Sequence, residues 1–125
     1  MSRAARSIQV FGIYLVIAGG LFIGAPDALI SLLRLPTTTE PWVHVLGVPV
    51  MALGMYYMAS ARAELVPFFR ATIWVRAFVL IALVVLITMG VIPISFVGFG
   101  IVDALGAAWT WTALRAPQVA AAPAT

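Results

Sequence analysis

Cysteine and lysine are absent from this 125-residue chain, histidine occurs once, and charge of either sign is scarce, with seven basic and four acidic residues. Without cysteine there is no disulfide, no thiolate nucleophile and no cysteine-bound metal. The single His44 cannot assemble a zinc site without carboxylate help. Neither a metal nor a cofactor is therefore expected. Charged residues make up 9% of the chain, where a soluble domain carries about a quarter, and that scarcity excludes an ordinary water-soluble fold. All the basic residues are arginines, scattered at the ends of apolar stretches rather than gathered into a patch, which argues against a nucleic-acid partner.

What the chain has in abundance is apolar sequence, 64% of it, divided into four stretches by proline- and charge-bearing breaks. Residues 8–24, 42–60, 68–90 and 96–115 are each about as long as a helix needs to be to cross a bilayer. The fold class is an all-α integral membrane four-helix bundle, a single domain over 1–115, with a disordered Ala/Pro-rich tail at 116–125. The other reading of the first stretch is a cleaved signal peptide with Arg3 and Arg6 as its basic region, but no small-x-small cleavage site followed by a polar start is present. Ala25-Pro26-Asp27 breaks the first stretch, with proline and an acid suited to a helix start, and predicts a short interfacial helix over about 26–35. Thr39-Glu40-Pro41 opens the second span, and Trp42 suits a membrane interface. Within that span His44, Gly47, Met51, Gly54 or Met55, and Met58 share a stripe, which reads either as helix packing or as the pliable wall of a ligand pocket.

Arginine placement sets the orientation. Arg3, Arg6, Arg62, Arg70 and Arg115 flank the N-terminus, the second connection and the C-terminus, and only Arg34 lies on the opposite side. Both termini are therefore expected in the cytoplasm. Two charges fall inside spans. Asp103 shares a face with Gly100, Gly106, Ala107 and Thr110, a small-residue face that packs against protein. Arg76 lies about 12 Å, and Asp103 about 18 Å, from the cytoplasmic end of their helices at the α-helical rise. Because the two helices are sequential and antiparallel, the expectation is a buried Arg76–Asp103 ion pair, and the competing one is an Arg76 that snorkels to the headgroups. Room for a ligand is expected in the outer half of the bundle, where Pro49 bends the second helix and Gly47 removes bulk. Tyr14, Trp42, His44, Gly47 and Met51 are the candidate lining.

The segments HVLGVPVMALGMYYMASARA, VRAFVLIALVV and GIVDALGAAWTWTALR, in this order, resemble the DoxX-like group of small four-helix bacterial membrane proteins, and in particular its uncharacterised branches. That group has a Gly-rich second helix, an Arg early in the third and an acid in the fourth, and Gly47, Gly54, Arg76 and Asp103 occupy those positions here. The resemblance implies a four-helix fold in the bacterial inner membrane. Its founding members are associated with a quinone-linked thiosulfate oxidase, an activity that does not carry over. The leading functional expectation is a bundle that binds a small apolar or lipid-like ligand or serves as a membrane subunit of a larger complex, in contact with membrane lipid and as a homo- or hetero-oligomer. The second is an enzyme on a quinone or isoprenoid-type substrate, with Asp103 as catalytic proton carrier. The third is a small transporter, and it fits least, since no acid lies between Ile8 and Gly24.

Overall fold

The computed structural model describes residues 1–116, so the tail expected at 116–125 lies, apart from Ala116, outside the described residues. The described chain is helical throughout: α1 (Arg3–Gly24), α2 (Pro26–Leu33), α3 (Trp42–Arg62), α4 (Val66–Thr88), a 3₁₀ turn (Ile94–Phe96) and α5 (Val97–Arg115). Four of these helices are long and apolar enough to cross a membrane.

α1 starts five residues before the apolar run because Ser2 caps it, its Oγ accepting from the Ala5 N–H at 3.0 Å. Ser2 is held in turn by Glu64 of the α3–α4 connection. The Ser2 N–H and Oγ–H each donate to one Glu64 carboxylate oxygen at 2.7 Å. Those two bonds hold the Glu64 carboxyl below its ordinary pKa. They also place an anion at the positive end of α1. Glu64 therefore ties two segments together. At its far end α1 stops at Gly24, because Pro26 opens α2 in a new direction. α2 ends at Arg34 in the left-handed region (φ 55°), with the Leu35 N–H returning to the Ile30 carbonyl at 3.0 Å. α3 continues as helix through Pro49.

α1 is the central element. It packs most closely against α3 and also against α5, while α4 packs mainly on α5, and α3 approaches α4 and α5 only weakly. The α1–α3 seam is set by glycines spaced seven apart on each helix, Gly12 facing Gly54 and Gly19 facing Gly47. A methyl at Gly12 would stand 2.9 Å from the Gly54 carbonyl oxygen, and one at Gly19 would stand 2.8 Å from that of Gly47. Small residues allow this backbone approach in an apolar solvent, where packing rather than hydrophobicity joins helices.

Two buried clusters lie at opposite ends. Ile8, Phe11, Tyr57 and Phe69 fill the end that carries the N-terminus and the end of α5. Phe22, Leu29, Ile30, Leu35 and Val43 fill the end capped by α2. The outer faces are apolar as well, with Trp74, Phe78 and Ile81 of α4 all exposed, as expected for a surface that meets acyl chains rather than water.

Candidate functional site: an apolar cavity with one polar end

Since α3 stands off from α5, a gap remains between α1, α3 and α5 on the α2 side of mid-bundle. It forms a cavity of about 460 Å³. Residue order along the three helices fixes its axis. α1 contributes Tyr14, Leu15, Ala18 and Phe22, α5 contributes Asp103 and Phe99, with Phe96 of the 3₁₀ turn beyond them, and α3 contributes Val50, Leu46 and Val43. Tyr14, Asp103 and Val50 thus mark the mid-bundle floor. Trp42 and the Pro36–Thr38 segment mark the mouth, with Ile30 of α2 beside them. The floor carries a phenol and a carboxyl, and the walls are apolar, the layout of a site that orients an apolar molecule by one end.

Of the residues singled out from sequence, Tyr14, Trp42 and Asp103 meet in this cavity. His44, Gly47 and Met51 do not line it, which corrects that part of the expectation. They face α1. The His44 Nδ1–H donates to the Ile23 carbonyl at 2.7 Å, satisfying one of the carbonyls left open at the end of α1. Gly47 lies against the Gly19 backbone, and the Met51 backbone lies over Gly19. The stripe His44–Gly47–Met51–Gly54–Met58 is therefore the packing seam, and the wall is the adjacent stripe Val43–Leu46–Val50. Along the 3₁₀ turn and α5, Phe96, Phe99 and Asp103 recur at intervals of three and four, a one-face pattern that could have identified the two phenylalanines in advance.

The expected Arg76–Asp103 ion pair is not formed. Arg76 is 1% exposed, and its guanidinium sits 4.1 Å from the Phe11 ring centroid and 5.2 Å from that of Tyr57. Its Nη1 donates to Thr110 Oγ1 at 3.5 Å, while Nε and Nη2 have no partner among the described residues. Nη1 would also meet a methyl on Gly106 at 3.0 Å. The reason is directional. Side chains on a helix lean toward its N-terminus, and the N-terminus of α4 is at the same end of the bundle as the C-terminal end of α5. Arg76 therefore reaches the Gly106–Thr110 turn of α5, about one turn short of Asp103. Thr110 links this layer to α1 as well, its Oγ1 lying 2.8 Å from Ser7 Oγ. Asp103 is left facing the cavity, with a buried cation one layer behind it.

Comparison of the chain with protein-family profiles, with curated proteins and with solved structures finds no match.

Proposed function

We propose that this chain is an integral protein of the bacterial cytoplasmic membrane, with both termini cytoplasmic, that binds a small apolar or lipid-like ligand in the cavity between α1, α3 and α5. One observation carries the reading: an apolar-walled cavity of about 460 Å³ whose floor presents Asp103 and Tyr14. A carboxyl at membrane depth is costly unless it faces protein, a cavity or a ligand, and Asp103 has no arginine contact to account for it. The orientation rests on the arginines at the termini and the α3–α4 connection. The reading of α2 as an interfacial helix is supported by its packing with the buried cluster at the end of the bundle away from Arg3 and Arg115. Membership of the DoxX-like group is part of the same proposal and rests on the three quoted motifs.

A second reading has one observation in its favour. Asp103 and Tyr14 line the same cavity, so an enzyme could use Asp103 to carry a proton to or from a quinone or isoprenoid-type substrate held there.

The test is mass spectrometry of protein released intact from mild detergent. One apolar molecule per chain should remain bound, and Val50→Trp, which fills the floor, should displace it. A wild-type chain that retains nothing, together with a Val50→Trp variant of undiminished melting temperature, would indicate an unused void.

A further inference from the structure

A second hollow lies beside the cavity around α5, in the groove between α4 and α5 toward the start of α4 and the end of α5. It measures about 720 Å³. Ala77, Ala104, Ala107 and Ala108 line it beside larger aliphatic residues, and Trp74 and Trp111 stand within it. One end of the groove is lined by two arginines, Arg70 near the start of α4 and Arg115 at the end of α5. The Arg115 guanidinium lies 4.8 Å from the Trp111 ring centroid, which holds it beside the groove. Among the described residues neither arginine has a carboxylate partner. Trp74 is 77% exposed, so the groove is open to its surroundings.

We infer that this groove binds one anionic phospholipid, its acyl chain lying along the alanines and its headgroup held between Arg70 and Arg115. The charge pattern selects this occupant. A basic pocket between transmembrane helices at their cytoplasmic end suits an acidic headgroup, and an alanine-lined trough suits a flexible chain. A second copy of the protein suits it poorly. A two-fold axis along the membrane normal would set Arg70 and Arg115 against the same two residues of the partner, and like charges brought together oppose association. An antiparallel copy would need the arginine-rich end to lie in both leaflets, against the bias of the whole chain. This inference does not depend on what fills the Asp103 cavity.

The experiment presents the intact chain with an equimolar mixture of phosphatidylglycerol and phosphatidylcholine in detergent and weighs the retained lipid. Phosphatidylglycerol should be retained over phosphatidylcholine by on the order of tenfold, given the attraction expected of two arginines at a headgroup. The R70Q/R115Q variant should bring the ratio near one. R62Q, which removes an arginine at the same end but outside the groove, should leave the preference in place. A108F should lose both lipids by filling the trough. The inference fails if wild type shows no preference, if R70Q/R115Q keeps it, or if R62Q abolishes it equally. It fails too if the groove is closed by a second chain, seen as a dimer that A108F separates.

Discussion

Replacing Gly19 by alanine puts a methyl group into the close backbone contact between α1 and α3. The new carbon would lie 2.5 Å from the Met51 nitrogen and 2.8 Å from the Gly47 carbonyl oxygen. Both neighbours are main chain, so no side chain can turn aside, and α1 and α3 must separate. Overpacking of this kind costs about 1–3 kcal/mol. Alanine also favours helix over glycine by up to about 1 kcal/mol, which partly offsets the loss. Two other glycines of the same helix separate these effects. Gly24 has nothing within 4 Å of an added methyl, so Gly24→Ala carries only the propensity gain. Gly20 would meet the flexible Met51 Cε at 3.2 Å, which can yield. Melting of the purified protein in detergent should therefore rank Gly24→Ala highest, Gly20→Ala next and Gly19→Ala lowest, with several degrees between the extremes. Equal melting temperatures for Gly19→Ala and Gly24→Ala would refute the seam.

Two further expectations concern the charged residues. Arg76→Met should melt within about 1 kcal/mol of wild type, because losing the aromatic contacts is offset by removing two unpartnered donors, whereas Arg76→Ala leaves a void and should cost about 2–5 kcal/mol. A methionine variant as damaged as the alanine one would mean that the guanidinium has a strong partner. Glu64, whose folded pKa is lowered by Ser2, should add stability that is full above its unfolded pKa and lost as pH falls through the folded value. The melting temperature of wild type should then drop on the acid side more steeply than that of Glu64→Gln, and parallel profiles would count against the Ser2–Glu64 link.

The positions of the long helices were legible because each is a run of apolar residues ended by proline, glycine or charge, but the start of α1 was not, since Ser2 caps it five residues before its apolar run. Asp103 was legible too, since the small residues around it at helical spacing set its face toward protein. The cavity wall on α3 was not. The stripe through His44, Gly47 and Met51 and the stripe through Val43, Leu46 and Val50 are both apolar and adjacent, and only the partner helix decides which one it covers. Glycine on both sides of the α1–α3 seam made that decision. The Arg76 contact failed for a different reason. Depth along the helix placed its Cα within reach of Asp103, but the lean of helical side chains carries the guanidinium the other way, toward Phe11, Tyr57 and Thr110. The role of Glu64 could not be read locally, because its partner Ser2 lies 62 residues away in sequence.

We propose that an apolar molecule occupies the space between α1, α3 and α5, with its polar end at Asp103 and Tyr14. Photolabelling addresses it directly. A long-chain alcohol bearing a diazirine would be incorporated into membranes containing the protein, irradiated, and its sites of attachment mapped by peptide mass spectrometry. Labelling concentrated on Tyr14 to Phe22 of α1 and Phe96 to Asp103 of the 3₁₀ turn and α5, and reduced in Val50→Trp, is the expected result. Labelling confined to outward residues such as Trp74, Phe78 and Leu105, and unchanged in Val50→Trp, would contradict the claim.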